Sequence, residues 1–196
     1  MRPLFFLVTL LGSLVLFTSS WASSFYYNED IGYTIWLPPS WAEASSKYLD
    51  WAKHTCTMPV QGDDTSWEAG YVSAAEDQRC SLLVEVKDGR KMQAADISNF
   101  NSFLVRSLHR MVAKHDPADS TRTTLKSARY FEEKKTLRLE TEVIRNGELL
   151  RCLTYVVYTR KGMLTFVGYV KPADEHARQA IDEAVLTLYL DDRIRY

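Results

Sequence analysis

Between Thr136 and Lys171 apolar and polar residues alternate with the period of two that marks β-strands, broken by two turn signals. Asn146-Gly147 is the first, because a type I′ hairpin turn needs positive φ at both central residues. A two-residue loop there places Arg145 opposite Glu148, Val143 opposite Leu150, Glu142 opposite Arg151, Thr141 opposite Cys152, Leu139 opposite Thr154 and Leu137 opposite Val156. Leu137, Leu139, Val143, Leu150, Cys152 and Val156 then share one face, and Arg138, Glu140, Glu142 and Arg151 share the other. This pattern predicts one buried and one solvated face, with Glu142–Arg151 as a cross-strand ion pair on the wet side. At Arg160-Lys161-Gly162 a three-residue loop with a left-handed Gly162 sets Leu164, Phe166, Gly168 and Val170 beside Cys152, Val156 and Tyr158. A two-residue loop would instead turn Thr165, Val167 and Tyr169 to that side.

The remaining pattern supplies the elements around this meander. Tyr33–Leu37 is aromatic and β-branched, hence extended, and Pro38-Pro39 stops it, with Trp41 folding back onto the sheet edge. Asn28–Gly32 reads as a turn. The stretch from Lys47 to Val60 fits a strand or an irregular segment, 61–66 a polar loop, and 71–75 a weak strand. Strong alternation from Arg79 to Lys87 predicts a strand ended by Asp88-Gly89. Ile97, Phe100, Leu104, Leu108, Met111 and Val112 follow helical spacing, which predicts a helix over 97–114 capped by Asp96 or Ser98 and stopped at His115-Asp116-Pro117. Leu125–Glu133 feeds the meander as a strand. A second helix opens at Pro172, with Asp174 and Glu175 at its positive end and Ala177, Ala180, Ile181, Ala184, Val185 and Leu188 as its stripe. Residues 191–196 read as a tail. Strands, helix, strands, helix on an antiparallel sheet is an α+β class, with helices flanking the sheet.

The N-terminus changes this picture. Arg2, an apolar run from Leu4 to Phe17 and then Ser20-Trp21-Ala22 have the order of a cleavable signal peptide. The run is shorter than the roughly 20 residues that span a bilayer. Residues 1–22 are therefore expected to be removed, leaving 23–196 as a single exported domain with no membrane span, expected in the periplasm. The 196 residues carry 24 basic and 25 acidic side chains, net −1, which argues against nucleic acid as a partner.

Little in the chain resembles catalytic or metal chemistry. His54, His109, His115 and His176 lack ligand spacing, no Gly-x-Ser-x-Gly elbow or phosphate-cradling loop is present, and Glu140/Glu142 are flanked by Arg138 and Arg151 on their own face. The expectation is no enzyme, no cofactor and no metal. Three cysteines in an oxidising compartment allow three pairings; Cys56–Cys80 is the expected disulfide with Cys152 buried and reduced, and three small buried thiols are the alternative. Nine Tyr and Trp residues crowd the segment from Tyr26 to Tyr71. Core packing accounts for such a cluster, but Tyr48, Trp51, Trp67 and Tyr71 also stand as candidate binding residues, because Trp is enriched at interface hot spots and loops carry function.

The opening Gly32-Tyr33-Thr34-Ile35-Trp36-Leu37-Pro38, then Trp41, followed by a meander and a C-terminal helix, resembles the PsbP/Mog1-like group, which includes DcrB-type bacterial envelope proteins. The resemblance covers most of 23–196 in layout, but in specific residues only that opening and the last helix. It implies an α/β/α sandwich used as a binding or assembly module without a shared active site. The function expected is therefore an exported, non-enzymatic module that binds an envelope protein. The alternative is a sugar- or lipid-binding protein using the aromatic N-terminal third.

Overall fold

The structure, a computed structural model, describes residues 23–56, 66–74, 80–113, 122–145 and 148–196. A seven-stranded antiparallel sheet runs in the order β3 (Trp41–Glu43), β4 (Ala69–Ser73), β5 (Ser81–Asp88), β9 (Gly162–Val170), β8 (Glu148–Thr159), β7 (Thr136–Arg145), β6 (Arg122–Phe131). A second sheet of three strands is ordered β1 (Ser24–Asn28), β2 (Tyr33–Leu37), β10 (Tyr189–Leu190). The helices are α1 (Ser46–Thr55), α2 (Ala94–Ala113) and α3 (Glu175–Leu186).

The large sheet is covered on both sides, which makes an α/β/α sandwich. On one side Leu82, Val84, Leu153, Tyr155, Val157, Leu164, Phe166 and Val170 pack against Tyr33, Ile35 and Leu37 of the small sheet and Ala177, Ile181, Ala184 and Val185 of α3. On the other, Ile97, Leu104 and Leu108 of α2 cover Leu137, Leu139, Val156 and Tyr158. Beside them Ala52 of α1 and Trp67 cover Leu83, Cys152 and Val167. Each fully buried Leu, Ile or Phe contributes roughly 1.5–3 kcal/mol of apolar burial.

The β7–β8 register is the one an Asn-Gly hairpin demands, from Arg145 opposite Glu148 to Leu137 opposite Val156. Residues 146–147 themselves lie outside the described residues, as do the helix stop at 115–117 and the polar loop up to 65. The β8–β9 hairpin corrects the expected three-residue loop: Thr159 pairs with Gly162, leaving a two-residue connection. Thr165, Val167 and Tyr169 therefore share the face of Cys152, Val156 and Tyr158, while Leu164, Phe166 and Gly168 share that of Leu153 and Tyr155. Residues 152–159 are all buried, so alternation could not tell the two faces apart. Gly162 has φ +121 for another reason: it also pairs with Asp88, and a Cβ there would lie 2.0 Å from the Lys87 carbonyl.

Four further corrections concern covered or overlooked segments. Residues 46–55 are helical, capped by Ser45, whose hydroxyl accepts from the Tyr48 amide. Their polar composition, with Ala52 the one fully buried residue, is what obscured this helix. Residues 24–28 form a strand that pairs in unbroken register with β2. The expected tail is packed: Ile194 is 5 % exposed, β10 pairs with β2, and the Arg160 amide donates to the Ile194 carbonyl. The face expected to be wet lies under α3. Gly168 lets that helix approach closely, since a Cβ there would meet Ile181 Cδ1 at 2.9 Å.

Candidate docking surface

Under α3 the charges of β7 and β8 form a network rather than a solvated face. Asp182 accepts from Arg138 Nε at 2.5 Å and Nη2 at 3.0 Å, from the Tyr155 hydroxyl at 2.5 Å and from Arg178 Nη1 at 2.8 Å. Glu140 pairs with Arg138 at 2.9 Å and Arg151 at 3.4 Å, and Arg151 reaches Glu175 at 3.2 Å. The expected Glu142–Arg151 pair is not made although the two residues are opposite; Glu142 instead meets Lys126 at 2.7 Å. Burial alone would lower the Arg138 pKa, but the Asp182 carboxylate and then Tyr155 and Glu140 raise it above the usual guanidinium range. Desolvation and the neighbouring Asp182 likewise push the Tyr155 phenol up. Every strong charge here has a partner of opposite sign, so the cluster fastens α3 to the sheet and offers no unneutralised acid or base for catalysis.

The four aromatic candidates do not converge. Tyr48 and Trp51 stack at 5.3 Å on α1, and Trp51 is 52 % exposed. Trp67 lies beneath them in the core with its indole nitrogen buried and without a hydrogen bond among the described residues. Tyr71 belongs to the opposite side of the sheet, where its hydroxyl meets that of Tyr33 at 2.8 Å. Burial pushes the Tyr71 phenol up to about 12.

The cysteines are also corrected. Cys56, Cys80 and Cys152 are present as thiols, so Cys56–Cys80 is not joined. Cys56 packs with the cluster beneath α1 and Cys80 with the cluster on the other side of the sheet. Burial pushes the Cys152 thiol up to about 12, against the lowering effect of the Thr154, Thr141 and Tyr169 hydroxyls. Among the described residues no group of three or more His, Cys, Asp or Glu side chains could hold a metal ion. No described helix is long and apolar enough to cross a membrane.

The large exposed apolar surface lies elsewhere, on the outer face of the small sheet. Phe25 stands opposite Trp36, and Thr34 lies between Tyr27 and Tyr189, so these five residues share one face. Phe25 is 70 % exposed, Tyr27 50 %, Tyr189 47 % and Trp36 39 %. The intervening residues Tyr33, Ile35 and Leu37 are buried against the large sheet, which fixes the outward direction of the aromatics. The Tyr27 hydroxyl donates to Asp191 at 3.2 Å, and the Arg195 guanidinium lies 4.9 Å over the Tyr189 ring. Three of these residues, Phe25, Tyr27 and Tyr189, lie in strands that sequence patterning missed. Burial alternates along Ser24–Asn28, but Phe25-Tyr26-Tyr27 are three aromatics in a row, so the sequence carries no alternation to reveal it.

Comparison with known proteins places the fold. No family model matches the chain, and no curated protein matches it. Among solved structures, a cyanobacterial PsbP from Synechocystis is similar with a TM-score of 0.57 at 12 % identity, covering 89 % of this chain and 96 % of that one. LpqN of Mycobacterium tuberculosis, described as involved in cell envelope biogenesis, is similar at 14 % identity and a TM-score of 0.44, covering 89 % of this chain and 90 % of its own. A protein of unknown function from Pseudomonas aeruginosa gives 14 % and 0.41, covering 86 % and 97 %. The chain therefore has the α+β fold of PsbP, and at these identities the likeness is one of fold alone.

Proposed function

We propose that this chain is a non-enzymatic docking module of the bacterial envelope, which binds a partner protein through the outer face of its three-stranded sheet. The observation that carries the reading is the exposure of Phe25, Tyr27, Trp36 and Tyr189 together on one rigid face. Scattered apolar residues on a surface need no explanation, but contiguous large aromatics rimmed by polar groups mark an interaction site. Asp191, Arg193 and Arg195 supply such a rim. The signal-like segment at 1–22 supports export, and the envelope role given for LpqN agrees with that setting without carrying the argument.

Site-specific photo-cross-linking in cells tests this reading. A benzophenone side chain at position 25 or 36 is expected to give one discrete protein adduct. The same group at position 103, also exposed but on α2, is expected to give none. Equal labelling from all three positions, or none from any, refutes the reading.

A further inference from the structure

We propose that β1 is an acceptor edge: a partner protein adds an extended segment beside Ser24–Asn28, its residues alternately apolar and one end basic. This deepens the docking reading above and rests on it. The two open sheets have four edges, and an edge strand presents unpaired N–H and C=O groups that proteins ordinarily block.

Three edges are blocked in recognisable ways. β6 carries Lys126 and Arg129, and its register breaks between Leu125 and Ser127. β3 has only three residues, follows Pro38-Pro39, and its Trp41 carbonyl accepts from the Tyr26 hydroxyl at 2.5 Å. β10 has two residues, and Arg195 closes it by donating Nε and Nη2 to the Leu190 carbonyl at 3.1 and 2.8 Å.

β1 has none of these devices. Ser24-Phe25-Tyr26-Tyr27-Asn28 contains no charge and no proline, and its five pairs with β2 run without a bulge. Its outer edge takes part in no strand pairing among the described residues. A strand added about 4.8 Å away would place every second side chain level with Phe25 and Tyr27, extending the aromatic face by one rung. Charge sets the rest of the partner's chemistry. Glu29 and Asp30 follow β1 directly, both exposed, and neither carboxylate makes an ion pair among the described residues. Nearby Asp191 and Asp192 are already matched by Arg193 and Arg195. Arg193 donates to the Glu29 backbone carbonyl but pairs with Asp191, so a segment reaching past Asn28 would meet two exposed carboxylates without an ion pair among the described residues, which a Lys or Arg complements.

The test uses the protein as cells produce it from the full-length gene as bait for a displayed library of random ten-residue peptides. Enriched sequences are expected to alternate apolar and polar residues and to carry Lys or Arg at one end. A synthetic copy of the most enriched peptide is expected to slow amide exchange in β1. Its affinity should fall at least tenfold on the Glu29→Lys/Asp30→Lys double substitution, and at least tenfold when alternate peptide amides are N-methylated. No enrichment, enrichment without alternation, or indifference to N-methylation overturns strand addition. So does sedimentation of the bait as a β1-dependent dimer, which would make a second copy the occupant. Binding of the bait to phosphatidylethanolamine–phosphatidylglycerol vesicles with no peptide enriched overturns it as well. A protein adduct from position 25 alongside a failed selection leaves the docking reading standing and removes only this one; loss of both removes both.

Discussion

Asp182→Ala isolates the contribution of the charge layer beneath α3. The substitution removes one carboxylate that four donors from three residues address, at 2.5, 3.0, 2.5 and 2.8 Å. It leaves Arg138, 8 % exposed, with Glu140 as its remaining acid, and leaves the buried Tyr155 hydroxyl without its acceptor. Breaking a buried pair by deleting one partner costs about 3–5 kcal/mol. Glu140 still compensates part of the guanidinium charge, so a loss of about 3 kcal/mol is expected, at the low end of that range. For a domain of this size each kcal/mol moves Tm by about 2–4 °C, so the melting temperature should fall by roughly 6–12 °C. Replacing both partners, Arg138→Met with Asp182→Leu, removes the desolvated pair but still leaves the Tyr155 hydroxyl without its acceptor, and is expected to recover at least about 1 kcal/mol of the single variant's loss. Urea unfolding with an unchanged m-value measures both variants against the parent. A loss below about 1 kcal/mol for Asp182→Ala, or a double variant no better than the single, refutes the claim that this network fastens the helix.

Gly162→Ala drives a Cβ to 2.0 Å from the Lys87 carbonyl at φ +121, so at least about 3 kcal/mol should be lost in urea unfolding. Deleting residues 191–196 removes buried Ile194 and the Asp191 amide bond to Gly32, and should cost about 2–4 kcal/mol rather than the near-zero change of a true tail. Burial raises Tyr71 from 10.0 to about 12 and Cys152 from 9.0 to about 12. The unfolded chain therefore releases these protons first, and stability present below pH 9 should fall as pH rises from 9 to 12, by about 1.4 kcal/mol per pH unit for each group over the range between its two pKa values. A urea midpoint that stays level across that range refutes this. For the same reason Cys152 should resist a thiol reagent at pH 8 in the native protein and react on unfolding, which counting modified thiols by mass spectrometry will show.

The hairpin about 146–147 was legible because Asn-Gly fixes loop length, and loop length fixes every pair from Arg145–Glu148 onward. The next hairpin was not, since β8 and β9 are buried on both faces and Leu153, Tyr155 and Val157 are as apolar as Val156 and Tyr158 on the reverse. Patterning also treated Arg138, Glu140 and Arg151 as solvated, because a charge looks the same in sequence whether water or Asp182 satisfies it. α1 was hidden by its polar composition, with Ala52 its one fully buried residue. The exposed aromatic face escaped for a different reason. Tyr189 lies more than 150 positions from Phe25 and Trp36, and strand β2 is what brings them together.

That long separation has a consequence for synthesis. β2 is flanked by β1 near the start of the chain and by β10 near its end, and the Tyr27–Asp191 contact spans 164 positions. The seven strands of the large sheet are all in hand once the chain reaches Val170, where the last of them ends. The aromatic platform cannot be completed until Tyr189 has been made. A chain that stops short of Tyr189 thus lacks the third strand of the small sheet and one of its four exposed aromatic side chains.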